Sequence, residues 1–168
     1  MIIVGGGNTF KLLHDIYDLD LFDLIRDKVK TGTSYIGWSA GANLTGAGIF
    51  TTNDMPIIQP RSFIAFGFLP FQINPHYHNQ TIDGHNGETR DQRLEEFATL
   101  NPKIPVVGLP EGTAIKLTNG ALQFIGEKDG ILYQTDVNKM PFKKTISQGE
   151  DLSLLYPVNP NTTMSARH

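Results

Sequence analysis

An α/β domain with parallel strands is the fold class the sequence predicts, and three observations predict it. The first 45 residues run strand, helix, helix, strand, turn, helix. A second apolar run, Pro105 to Leu109, follows a helical stretch that ends at Asn101-Pro102. Strands alternating with helices in this way imply crossover connections and a mostly parallel sheet flanked by helices. Third, "AIKLTNGALQFIG" alternates around Asn119-Gly120, the turn dipeptide that suits a two-residue hairpin, so a β-hairpin region is expected toward the C-terminus.

Ile2-Ile3-Val4 reads as a short buried strand that runs into Gly5-Gly6-Gly7. Asn8 is placed to cap a first helix, in which Phe10, Leu13 and Tyr17 fall near helical spacing. Asp20 is expected to cap a second helix, where Leu21, Leu24, Ile25 and Val29 follow an i, i+3, i+4, i+8 pattern. Gly32 suits the position just past its end. Ser34 to Trp38 reads as a strand, Ser39 as the turn and Ala40 to Leu44 as a helix start. Residues 46–87 carry Pro56, Pro60, Pro70 and Pro75 and read as mostly loop, with a strand just before "PHYHN". "GETRDQRLEEFATLNP" is helical through Leu94, Phe97 and Ala98. Strand-like pieces follow at Ile131–Tyr133 and Lys144–Ile146. Residues 1–156 read as a single domain, and residues 157–168 as a loose polar tail.

The composition narrows the function. The chain has 168 residues and a net charge of −3 with no long basic run, which argues against nucleic acid or an anionic membrane as partner. The absence of cysteine excludes disulfides, thiolate metal sites and a cysteine nucleophile. No run approaches the ~18 apolar residues of a membrane helix, and no secretory leader is legible, so a cytoplasmic protein is expected. No cluster of metal ligands stands out, and no cofactor is expected.

Gly37-x-Ser39-x-Gly41, between a strand and a helix, has the context of a nucleophile elbow. Its glycines would remove side chains from a strained turn, and the Ala40 N–H could donate to an oxyanion. A serine nucleophile needs a base. Of the five histidines, His76 and His78 lie in a loop just after a strand, where catalytic residues tend to lie, although solvated loop histidines read the same way. A third member would be a carboxylate, with Asp54 in "TTNDMP" and Glu111 in "GLPEGT" as the candidates. The Gly6-Gly7 backbone could bring a second N–H to the oxyanion; as a dinucleotide loop it lacks the third glycine, where Phe10 stands. Arg90, at the start of a predicted helix, either pairs with a neighbouring carboxylate such as Glu96 or offers a fork to a substrate carboxylate.

Taken together, "IIVGGGNTF", "YIGWSAGANL", "TTNDMPI", "QINPHYHN", "GHNGETRDQR" and "GLPEGTAI" resemble the peptidase E group of α-aspartyl dipeptidases, in a serine peptidase family that also includes cyanophycinases. The stretches occur in the family's order over roughly residues 2–117. The resemblance implies Ser39 as nucleophile, His76 as base, Glu111 as the carboxylate partner with Asp54 as the competing assignment, and Arg90 as the reader of an N-terminal aspartate side chain. It implies a fold like that of class I glutamine amidotransferases, with serine in place of their cysteine. Family members carry a further N-terminal segment before the GGGNT stretch, at which this chain starts. The first strand is therefore expected to show an open apolar edge.

The function expected on these grounds is hydrolysis of short peptides with N-terminal aspartate, without metal. The alternatives are a cyanophycinase-like hydrolase of aspartyl-arginine peptides and an inactive fragment or peptide-binding module.

Overall fold

The computed structural model describes residues 1–79, 87–136, 138 and 140–156. The expected tail, 157–168, lies outside them, as do His85 and His168.

Strand β1 (Ile2–Val4) leads through the glycine loop into helix α1 (Thr9–Asp18) and then α2 (Leu21–Lys30). Strand β2 (Tyr35–Gly37) returns parallel to β1, with Ile2 opposite Tyr35 and Val4 opposite Gly37. The Asn8 side chain accepts from Lys11 N–H and caps α1 as expected. Asp20 does not cap α2 through its side chain. The link between the two helices is only Leu19 and Asp20, and closing it puts Asp20 at φ 54, a left-handed conformation that aspartate tolerates. Val4, Leu13, Ile16, Phe22, Leu44 and Phe66 form the core of this part of the molecule.

After α3 (Ala40–Asn43) and a long irregular stretch, β3 (Gln72–Pro75) begins a four-stranded sheet of order β3-β4-β7-β8, with α4 (Arg90–Leu100) packed on one face. The central strand β4 (Val106–Leu109) is buried along its whole length. Successive side chains point to opposite faces, so Val107 and Leu109 join Phe71, Ile73 and Phe124 on one side, while Val106 meets Leu94, Ala98 and Tyr133 on the other. A strand covered on both faces reads as a continuous apolar run, which is how Pro105 to Leu109 reads.

The α/β class stands as expected. Pairing is parallel where the sequence alternates strand and helix, at β1–β2 and β3–β4. It is antiparallel between β4 and β7 (Gly130–Thr135) and between β7 and β8 (Pro141–Ile146). Residues 136–140 are too few for a crossover, which needs a dozen or more, so β8 can only fold back on β7. The sheet is thus more mixed than a mostly parallel one. β5 (Thr113–Thr118) and β6 (Ala121–Gly126) form the expected hairpin, with positive φ at Asn119 and Gly120.

Among the described residues β1 pairs only with β2, and Ile3 is 56% exposed. No helix among them is long and apolar enough to cross a membrane.

Candidate active site

Parallel strands that start in register also end together, and here two such pairs end at one place. In the first pair Val4 lies opposite Gly37, so Gly6 and Ser39 both stand two residues past the ladder. In the second, Pro75 lies opposite Leu109, so His76 is one residue past it and Glu111 two. The carboxyl ends of parallel strands are the usual place for a site in an open α/β sheet.

The elbow at Ser39 is sterically enforced. Ser39 has φ 54 and ψ −118, which few side-chain-bearing residues adopt. A Cβ on Gly37 would come 2.4 Å from the Gly41 carbonyl oxygen, and one on Gly41 would come 2.2 Å from that of Val4. Only hydrogen fits at either position. The Tyr35 hydroxyl donates to the Gly41 carbonyl at 2.7 Å and ties the end of β2 to the start of α3; burial pushes this phenol well above its ordinary range.

The glycine loop passes directly against Ser39. A Cβ on Gly6 would lie 3.1 Å from Ser39 Cβ and 3.4 Å from its Oγ, and Gly7 has φ 127. Among the described residues the N–H groups of Gly6, Gly7 and Ala40 make no hydrogen bond. Three backbone donors, on Ala40 next to Ser39 and on the glycine loop that passes it, thus have no partner among the described residues.

His76 Nε2 lies 2.8 Å from Ser39 Oγ, and its Nδ1 is hydrogen-bonded to Glu111 Oε1. His76 also has a positive φ, 55. Such conformations cost on the order of 1–3 kcal/mol each and persist only where the surroundings over-determine them. His78 makes no hydrogen bond among the described residues, and His14 lies on α1 away from this array.

Asp54 is elsewhere. Its Oδ2 accepts from the Thr9 N–H at 2.7 Å, the Thr9 hydroxyl at 2.6 Å and the Thr52 hydroxyl at 3.3 Å. With Asn8 Nδ2 donating to the Met55 carbonyl at 2.8 Å, the 54–55 turn grips the two residues that follow Gly7. It therefore holds the glycine loop and not the imidazole. No spacing in the sequence announces that Thr9 is the partner of Asp54; the contact bridges 45 residues.

A cleft lies on each side of the Ser39–His76–Glu111 row. One, of about 730 Å³, is mostly apolar and runs past Trp38, Leu109 and Ile115 under the β5–β6 hairpin. The other, of about 540 Å³, is bounded by His76, His78, Arg90, Glu111, Lys128 and Asp129. Arg90 Nη1 donates to the Pro75 carbonyl at 3.2 Å, and Arg90 makes no ion pair among the described residues. Its neighbour Arg93 takes the nearby carboxylate, Glu88 at 3.6 Å, and among the described residues Arg90 forms no pair with Glu96, the alternative the sequence also allowed. Burial, and secondarily Arg93, disfavour the Arg90 charge, a penalty that an incoming carboxylate would relieve.

The family model described as peptidase family S51 matches residues 1–125. The chain is 52% identical over 154 residues to a peptidase E of Shewanella amazonensis, covering 92% of this chain and 64% of that relative. It is 53% identical over 141 residues to a peptidase E of a Nostoc species, covering 84% of this chain and 58% of the relative. It thus spans somewhat under two thirds of the length of these relatives. Among solved structures it is similar in fold to a peptidase from an acI-B1 actinobacterium, with a TM-score of 0.61 at 19% identity over 90% of this chain and 58% of the other.

Proposed function

From the premise that this chain belongs to peptidase family S51, we propose that it is a serine-type dipeptidase acting on peptides with N-terminal aspartate. The observation that carries the reading is the imidazole of His76, bonded at one nitrogen to Ser39 Oγ and at the other to Glu111. In this reading Ser39 Oγ attacks the scissile carbonyl as His76 Nε2 takes its proton. Glu111 fixes the ring orientation and stabilises the imidazolium. The free N–H groups of Ala40 and of the Gly6-Gly7 loop receive the oxyanion. His76 then returns the proton to the leaving amine, and water attacks the acyl-serine by the same route in reverse.

Arg90 reads the aspartate side chain, because a guanidinium fork gives a carboxylate two charge-assisted bonds and an amide oxygen only one. Arg90→Ala is expected to shrink the Asp-Leu over Asn-Leu preference in kcat/KM by ~5- to 150-fold, the equivalent of ~1–3 kcal/mol. Arg90 also holds the Pro75 carbonyl, so both substrates should lose some turnover; the ratio isolates the recognition. An unchanged Asp/Asn ratio would take Arg90 out of the substrate site.

The two candidate carboxylates should separate cleanly. Glu111→Ala is expected to lower kcat by ~10³- to 10⁴-fold with little change in Tm. Asp54→Ala removes the acceptor of three hydrogen bonds and should lower Tm by roughly 3–8 °C while costing less turnover than Glu111→Ala. Calorimetry and steady-state kinetics on the two variants decide it, and a greater kcat loss in Asp54→Ala would reverse the assignment.

A further inference from the structure

His76 has a positive φ, uncommon for any residue with a side chain, and the residues on each side of it are held in place. Before it, the Pro75 carbonyl accepts from Asn53 Nδ2 at 3.0 Å and from Arg90 Nη1 at 3.2 Å. After it, the Tyr77 N–H donates to the Leu109 carbonyl at 3.0 Å, and the Tyr77 hydroxyl donates to Asp91 Oδ1 at 2.6 Å. Arg90 and Asp91 are consecutive at the start of α4. One helix end therefore grips the residue on each side of His76.

Asp91 is itself braced. Its Oδ2 takes Lys143 Nζ at 2.6 Å, from the edge strand β8. Burial works against the Asp91 charge, but the hydrogen bonds from Lys143 and Tyr77, with the Tyr133 phenol nearby, outweigh it and hold the carboxyl below its usual range. The Tyr77 ring packs among Leu94, Ala98, Val106 and Ile131. That packing would hold a phenylalanine equally well; the hydroxyl adds a fixed orientation that ring packing alone does not.

We propose that Tyr77 and Asp91 form a positioning pair, whose hydroxyl–carboxylate bond sets the backbone of His76 and so aims its imidazole between Ser39 and Glu111. The proposal rests on the reading of His76 as the base. Neither residue touches Ser39 or Glu111; the pair acts through the chain at His76.

The variants are Tyr77→Phe, Asp91→Ala and the double substitution, made in the whole chain. Three quantities are read: kcat and KM on Asp-Leu, Tm, and the ¹⁵N shifts of the His76 ring nitrogens, which report how much of the neutral imidazole carries its proton on Nδ1 toward Glu111. Tyr77→Phe is expected to lower kcat by ~10- to 100-fold with KM within about twofold, as a misplaced reacting group does. The His76 shifts should move toward those of a free imidazole. The double variant should be no worse than the worse single one, because both changes break one bond. Unaltered kcat in Tyr77→Phe, His76 shifts that stay at wild-type values, or losses that add in the double variant each overturn the pair. The nitrogen shifts need no turnover. If wild type fails to cleave Asp-Leu while the shifts move in Tyr77→Phe, the substrate reading falls and the positioning pair stands. If Asp91→Ala does not fold, Tyr77→Phe, which removes a single oxygen from a packed ring, carries the test.

Discussion

Ser39→Ala is expected to abolish hydrolysis of Asp-Leu in a protein that is otherwise folded. The substitution removes one oxygen and keeps the Cβ, so the contact with the glycine loop survives and the turn keeps the φ 54 it already has. What is lost is the proposed nucleophile and its 2.8 Å bond to His76 Nε2. Removing a nucleophile from a triad costs about 10⁶ in kcat and leaves only ~10³- to 10⁴-fold acceleration over water, from the oxyanion donors and binding. The stability change should be small: the lost bond lies at a half-exposed imidazole and is worth about 0.5–1.5 kcal/mol. Steady-state kinetics with a Tm measurement tests both halves. Near-normal turnover in a folded Ser39→Ala protein would end the proposal of a serine mechanism.

Gly41→Ala is expected to damage fold and activity together. The added Cβ would stand 2.2 Å from the Val4 carbonyl oxygen, 2.8 Å from its carbon and 3.1 Å from the Gly5 carbonyl oxygen. These are backbone atoms, so no side chain can turn aside. Either β1 moves away from β2 or the elbow opens. Overpacking a close contact costs ~1–3 kcal/mol and more where the backbone must shift, which for a chain of this size is roughly 3–12 °C in Tm. The elbow carries Ser39, and a displacement near 1 Å at a reacting atom can cost ~10²-fold in turnover. A Gly41→Ala protein with wild-type Tm and kcat would show that the close approach of β1 to α3 is not needed.

Much of this molecule is legible in its sequence because local physics decides it. The period of the apolar residues places the helices, Asn8 caps α1, and Asn119-Gly120 closes the hairpin. Gly37 and Gly41 flank Ser39 because each faces a carbonyl oxygen, and the pattern that flags an elbow is the trace of that crowding. Asp20 reads as an N-cap from its type alone, but a two-residue link between α1 and α2 overrides side-chain preference. What sequence cannot show is which distant groups meet. Asp54 and Glu111 are both carboxylates beside turns, and only the β3–β4 register, which sets Pro75 opposite Leu109, brings Glu111 to the imidazole. Nothing in the sequence singles out Tyr77 between its two histidines; its hydroxyl becomes informative once α4 places Asp91 against it.

The positive φ at both Ser39 and His76 bears on any attempt to make this protein more robust. Glycine would occupy either position without steric penalty, and where a side chain is held at positive φ the relief is about 1 kcal/mol. Thermostability selection that ignored turnover would therefore be drawn toward these two positions. Under the proposed mechanism such variants would cleave nothing, so any such screen needs an activity gate from its first round.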